Sequence, residues 1–223
     1  MNILNQVQLL AVLVLPVLFA ITIHEAAHGW VASRLGDRTA LMLGRVTFNP
    51  LRHIDPVGTI LVPVVTFLLA GFLFGWAKPV PVNARNLRYP RRDMALVALA
   101  GPGVNLLMAI LWGLAIHGGL LLWSVSEWVA LPLIYMGAAG VLINVFLMLF
   151  NLVPLLPLDG GRVLNALLPP RWSWYFSRLE PFGILIVMLL LVAGLLNTLL
   201  LPLVIGTVDL LPGSDIVREL FHY

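Results

Sequence analysis

Long apolar stretches alternate along the chain with short polar ones, and four of them, 6–32, 94–117, 128–150 and 181–201, reach the ~20 residues that span the hydrocarbon core of a bilayer. A fifth, 57–75, has the length but is punctuated by Gly58, Pro63, Gly71 and Gly75 and flanked by much of the charge. Between the first stretch and the central ones the pattern changes. Residues 38–50 (RTALMLGRVTFNP) partly alternate and carry β-branched positions, which predicts a short strand or hairpin. Pro79 and Pro81 in WAKPVPVN exclude regular helix over 76–83 and predict a second extended piece. The expected fold is an all-α polytopic membrane protein, a bundle of about four to six membrane helices. A short membrane-associated β-hairpin or re-entrant region is expected between the first helix and the central helices. The reading is of one domain, 1–223, divided into a helix 6–32, a β/re-entrant region 33–93, a helix 94–117, a helix and turn 128–159 and a helix 181–201.

Charge sets an orientation. The segment 33–56 carries Arg34, Arg38, Arg45 and Arg52, and 76–93 carries Lys78, Arg85, Arg88, Arg91 and Arg92. Both read as cytoplasmic by the excess of basic residues in short inner loops. The apolar piece between them then does not cross and is expected to be re-entrant or to lie against the protein at membrane depth. Segment 118–127 has no Lys or Arg and falls outside; 160–180, with Arg162, Arg171 and Arg178, returns to the cytoplasm. Bacterial cytoplasmic membrane is the expected location, with the chemistry toward the cytoplasmic side.

Composition narrows the class. With 61% hydrophobic and 10% charged residues and a net charge of +3, the chain lacks the polar surface of a soluble domain and the basic field of a nucleic-acid binder. Its mean hydropathy of +1.00 agrees. There is no cysteine, so a metal site must use His, Asp or Glu. The first apolar run lacks a basic leader and a small-residue cleavage site, and reads as a mature helix rather than a signal peptide. No repeat, linker or low-complexity tract marks a second domain.

His24, Glu25, Ala26, Ala27 and His28 spell H-E-x-x-H at the end of the first apolar helix. At i and i+4 the two imidazoles share one helix face, within reach of one tetrahedral ion. Glu25 is placed to accept a proton from an activated water. Three ionisable groups this close together in a membrane helix are costly unless they share a polar purpose; the bland reading is an interfacial polar cluster near Ser33 and Arg34. A catalytic zinc needs a third protein ligand and one open position. Of the six Asp, Asp159 alone sits in a mostly apolar, structured setting, NLVPLLPLDGGR, where Pro154 and Pro157 break the preceding helix. It reads either as the distant ligand or as a helix cap before Gly160.

With these residues in view, the sequence resembles the site-2 protease family of intramembrane metalloproteases over most of its length. The family's N-x-x-P-x-x-P-L-D-G signature is met by Asn151, Pro154, Pro157, Leu158, Asp159 and Gly160, and its H-E-x-x-H by His24 to His28. Gly101, Pro102, Gly103, Val104 and Asn105 form a third family-like patch. GWAKPVPVN and FNPLRHIDPVGT look like a compact bacterial subgroup without a PDZ-sized insertion or CBS module. The resemblance implies about one zinc per chain, held by His24, His28 and Asp159, with Glu25 as base and no soluble cofactor. It implies cleavage of peptide bonds in or near the transmembrane segments of single-span membrane proteins.

Asn151 reads either as a group that holds substrate backbone or the developing oxyanion, or as a structural amide beside Pro154. Asn105 and Asn144 read as interhelical hydrogen-bond residues, with Asn105 a secondary site candidate. His53 reads as a turn buttress or as a residue at the mouth of the site. His117 and His222 read as interfacial, and Trp123, Trp128, Trp172 and Trp174 as aromatic belts. The strand-like pieces 38–50 and 76–83 are expected to receive an extended substrate by edge addition. The competing classes are a membrane metal transporter and a catalytically silent binder of transmembrane segments. Against the first stands the absence of repeated halves, and against the second the intact Glu25. No Ser lies in a Gly-x-Ser-x-Gly setting, which disfavours a serine protease.

Overall fold

The computed structural model of the chain describes residues 6–70 and 75–221. Gly71 and His222 lie outside the described residues. The helices are α1 (Gln6–Leu35), α2 (Thr39–Met42), α3 (Val62–Ala70), α4 (Pro90–Leu122), α5 (Glu127–Asn151), α6 (Asp159–Leu167), α7 (Pro170–Ser177), α8 (Gly183–Val192), α9 (Leu195–Val208) and α10 (Ser214–Phe221). Single 3₁₀ turns at Pro50–Arg52, Ala84–Asn86 and Glu180–Phe182, and a π-helical entry at Pro56–Leu61, complete the regular structure.

Four helical stretches are long and apolar enough to cross a membrane: Val12–Leu35, Pro90–Leu122, Glu127–Asn151 and Pro170–Val192. This is the composition of a membrane protein, and Leu111, Leu114, Leu121 and Val14 are exposed as lipid-facing side chains would be. Three of the four follow the expected ranges. The fourth does not: the expected 181–201 helix is broken at Gly194, whose φ of 72° is a left-handed turn that a continuing helix does not tolerate. The apolar run is therefore divided between α8, which closes the stretch from Pro170, and α9.

The expected β element is a second correction. Among the described residues no strand forms. Residues 39–42 make one helical turn because Asp37 Oδ1 accepts from the Thr39 amide at 3.1 Å, and the chain then turns back at Gly44. That local Asx turn outweighs the weak alternation of RTALMLGRVTF. The 57–75 piece is helical from Pro56 to Ala70, because Asp55 Oδ1 accepts from the amides of Val57 and Gly58, both at 2.9 Å. Residues 76–83 are irregular and unhelical, as Pro79 and Pro81 require.

Two compact units emerge, each from discontinuous segments. One comprises Met1–Ala20, Pro102–Asn151 and Asn197–Tyr223. Its core is Ala109, Ile116, Ile134, Ala138, Val141, Val145, Val204, Val208 and Val217. In it α4 and α5 approach so closely that a Cβ on Gly140 would overlap the Trp112 ring, and one on Gly137 would meet the Trp112 carbonyl oxygen at 2.9 Å. Small residues at such crossings let apolar helices associate by close van der Waals contact. Asn144 Nδ2 donates to Gly140 O within its own helix at 2.8 Å, while its buried Oδ1 finds no hydrogen-bond partner among the described residues.

The other unit comprises Ile21–Gly101 and Leu152–Leu196. Ala32, Leu87 and Val97 form its apolar centre, packed on by Val31, Leu35, Val82 and Met94. Arg91, in the first turn of α4, donates to the carbonyls of Ala166 and Leu168, which ties that helix start to the end of α6. Asp37, fully buried, is the polar knot of this unit. Its carboxylate accepts from Thr39 Oγ1 at 2.5 Å, Asn86 Nδ2 at 3.0 Å and the Asn83 amide at 2.6 Å, as well as from the Thr39 amide.

Burial alone would push the Asp37 carboxyl up, but the hydrogen bonds from Thr39, Asn86 and Asn83 outweigh it and hold it below the ordinary carboxylate range. A depressed folded-state value means that this contribution is complete above the unfolded value of about 3.9 and is lost as pH falls through the folded value. Thermal unfolding in detergent is expected to lose stability on the acid side below about pH 4. Asp37→Asn should flatten that limb and lower stability at neutral pH by roughly 1–3 kcal/mol, the cost of stranding buried donors.

Candidate metal centre

α1 stays helical through H-E-x-x-H, so His24 and His28 fall one turn apart, both buried, while Glu25 on the neighbouring face is half-buried. The imidazoles meet edge to face with centroids 4.7 Å apart, and their Nε2 atoms are 3.1 Å from each other. His28 Nδ1 lies 2.7 Å from Val97 O. A carbonyl only accepts, so Nδ1 carries the proton and the Nε2 of neutral His28 presents a lone pair inward.

Asp159 arrives from the far side of the sequence. Pro154 and Pro157 end α5 at Asn151 and force two tight turns, Leu155 N to Val153 O at 2.7 Å and Leu158 N to Leu155 O at 2.9 Å. α6 then starts against this turn with no space for side chains. A Cβ on Gly160 would overlap the Leu152 carbonyl, and one on Gly161 the backbone of Leu155 and Leu156. The glycine pair thus lets the first turn of α6 sit on the proline turn and fixes Asp159 at its mouth. The N-cap position is Leu158, without a side-chain cap bond, and Asp159 is the first helical residue.

Asp159 Oδ2 lies 3.2 Å from His24 Nε2 and 3.3 Å from His28 Nε2. It is buried and receives no hydrogen bond of good geometry. Three atoms able to offer lone pairs to one ion therefore face one another at 3.1–3.3 Å. A tetrahedral zinc with bonds of about 2.0–2.1 Å spaces its ligand atoms about 3.3 Å apart, so the donor set fits that ion in kind and in size. Of the described His, Asp and Glu residues, these three form the cluster able to hold a metal.

The neighbours of this triangle are less visible in the sequence. Gly101 of α4 faces it: a Cβ there would stand 2.5 Å from both His24 Cε1 and His28 Nε2. Gly101 was legible only as part of a family-like patch, since a glycine in an apolar helix has no pattern of its own. Glu25 Oε2 accepts the Val80 amide at 2.8 Å, a main-chain contact that no side-chain motif announces. His53 is buried with Nε2 3.2 Å from Thr47 O, and its own carbonyl accepts the Lys78 amide at 2.9 Å, which makes it a buttress of the 76–83 segment. Asn151 and Asn105 belong to the other unit. The Asn151 amide donates to Leu147 O at 2.9 Å in its own helix, and Asn105 is fully buried.

YwhC of Bacillus subtilis, which is named as a zinc metalloprotease, is 36% identical over 221 residues, covering 96% of this chain and 92% of YwhC. The chain belongs to that zinc metalloprotease family. Rip2 of Mycolicibacterium smegmatis, another member by name, is 29% identical over 81% of this chain and 66% of Rip2. The zinc metalloprotease MJ0392 of Methanocaldococcus jannaschii is 24% identical over 88% of this chain and 47% of its own length. Neither a family model nor a solved structure matches the chain. As a zinc metalloprotease the protein is an enzyme that hydrolyses peptide bonds, and the His-His-Asp donor set is of the chemistry that zinc accepts.

Gly101→Ala should displace the paired imidazoles and lower zinc affinity by roughly 10- to 100-fold, the range seen when the support of metal ligands is disturbed. Gly103→Ala, where a Cβ meets nothing within 4 Å, should bind zinc as the parent does. Competition against a chromogenic chelator measures both.

Proposed function

We propose that this zinc metalloprotease is an intramembrane endopeptidase of the site-2 type, cleaving single-span membrane proteins in or near their transmembrane segments in regulated intramembrane proteolysis. The observation that carries the reading is the triangle of His24 Nε2, His28 Nε2 and Asp159 Oδ2, 3.1–3.3 Å on a side, with both histidines on a helix apolar enough to cross a bilayer. A polar cluster of this kind at membrane depth is costly unless it does chemistry.

In this reading His24, His28 and Asp159 hold about one zinc per chain. Zinc, when bound, acidifies the attacking water and polarises the scissile carbonyl. Glu25 takes the proton of that water and returns it to the leaving amine. Its Oε2 is held by Val80, so the transfer falls to the other carboxylate oxygen. His28 donates through Nδ1 to Val97 O and thereby keeps Nε2 directed at the ion. Asn151 is the proposed contact for substrate backbone or oxyanion, with Asn105 and His53 as secondary candidates. The basic segments around Arg34 to Arg52 and Lys78 to Arg92 support a cytoplasmic mouth for the site in a bacterial cytoplasmic membrane.

A substrate helix must become extended before its carbonyls are open to attack. The 38–50 segment has no strand to offer it. The 76–83 segment has its Trp76, Lys78, Val80 and Asn83 amides engaged by Gly58 O, His53 O, Glu25 Oε2 and Asp37 Oδ2, and Pro79 and Pro81 have none to give, so it does not offer the substrate a free row of strand donors.

Purified protein is expected to carry about one zinc per chain, sharply reduced in Asp159→Ala. Zinc retained in that variant would reduce Asp159 to a helix-start residue. Glu25→Gln should keep its zinc and slow cleavage of a single-span substrate in liposomes by roughly 10²- to 10⁴-fold. A transporter or silent binder would leave every substrate whole, in wild type and variant alike.

A further inference from the structure

Glu25 carries its carboxylate on three rotatable bonds from a half-buried site, and a side chain of that length loses its orientation unless something holds it. What holds it is a main-chain group. The Val80 amide donates to Glu25 Oε2 at 2.8 Å. Val80 stands between Pro79 and Pro81, so across those three residues it supplies the single amide hydrogen. The residue before a proline is confined to extended backbone, and both Lys78 and Val80 precede one, which pre-sets the donor's direction before folding.

The donor is also anchored on both sides. Upstream, the Trp76 amide bonds to Gly58 O at 3.0 Å and the Lys78 amide to His53 O at 2.9 Å. Arg45 Nη2 donates to Lys78 O at 2.8 Å. Downstream, the Asn83 amide is on Asp37 Oδ2 at 2.6 Å. The Val80 side chain is buried against α1 one turn beyond Glu25, where a Cβ on Gly29 would meet Val80 Cγ1 at 3.1 Å and Val46 Cγ2 at 2.8 Å. A surface loop with no task beyond covering the helix would not need ties on both sides of the one amide that meets the Glu25 carboxylate.

We propose that the Val80 main-chain amide is a positioning group for proteolysis, fixing Oε2 of Glu25 so that the other carboxylate oxygen faces the attacking water. The proposal rests on the reading of Glu25 as the base. A backbone amide cannot titrate in the working range and cannot take the proton, so it orients Glu25 without competing for its role. The prolines on either side belong to the same device.

The test removes one hydrogen atom. Val80→Pro keeps extended backbone in a run of three prolines and deletes the donor; replacement of Val80 by its α-hydroxy analogue, an ester in place of the amide, deletes it with the side chain unchanged. Both are measured in liposomes against a single-span substrate, beside Glu25→Gln, with zinc content and thermal unfolding determined for each. The expected result is zinc and unfolding as in the parent, with kcat lowered roughly 10- to 100-fold, the penalty of a misplaced catalytic group. KM should stay within about twofold, since no substrate contact is lost. Val80→Ala, which keeps the amide, should retain most of the kcat that Val80→Pro loses. If Val80→Pro unfolds or loses zinc, the ester variant decides. An ester variant with parental kcat beside an inactive Glu25→Gln would overturn the proposal and leave the base reading standing. A Glu25→Gln variant that cleaves at the parental rate would remove the base reading and the proposal with it.

Discussion

Two imidazoles and a carboxylate turned toward one another in an apolar helical setting form a donor set that a metal cation would complete. Neutral His28 offers a lone pair, not a proton, to Asp159, because its proton is already given to Val97 O. Asp159 Oδ2 is buried without a good hydrogen-bond donor. Leaving a carboxylate so placed costs several kcal/mol unless a cation completes the set. Much of the local architecture serves to keep these atoms together against that cost. The Pro154 and Pro157 turn aims Asp159, the Gly160 and Gly161 pair removes the side chains that would push it away, and Gly101 clears the space beside the imidazoles.

The geometry of the candidate site was readable in the sequence wherever it depended on local spacing. His24, Glu25 and His28 follow from helical periodicity, and that helix formed as the apolar run required. Asp159 was legible because two prolines and two glycines around an acidic residue in an apolar segment have few uses. The long helices α4 and α5 were legible for the same reason as α1: continuous hydropathy over a bilayer's thickness. What failed was the reading of boundaries and weak patterns. The 181–201 run is uniformly apolar, and hydropathy is blind to a left-handed residue such as Gly194. The 38–50 alternation lost to the Asp37 turn, whose partners Asn83 and Asn86 lie more than forty residues away.

Gly101 and Val80 mark a different limit. Each meets the candidate site through what lies outside the side-chain alphabet: one by the absence of a Cβ against the histidines, the other by a main-chain hydrogen bond to Glu25. Sequence motifs register groups that react or coordinate. They do not register the space and the backbone donors that make those groups point correctly, which is why a five-residue motif names the chemistry of this enzyme and leaves out the parts that hold it in place.

The irregular run from Trp76 to Pro81 has a consequence for how copies of the protein behave beside one another. Extended segments with free amides are templates for sheet formation between chains. Here Trp76, Lys78 and Val80 have their amides engaged within the molecule, and Pro79 and Pro81 have none to give. The segment is therefore a poor seed for intermolecular β-structure, and crowding in the plane of a bilayer does not turn it into an aggregation nucleus.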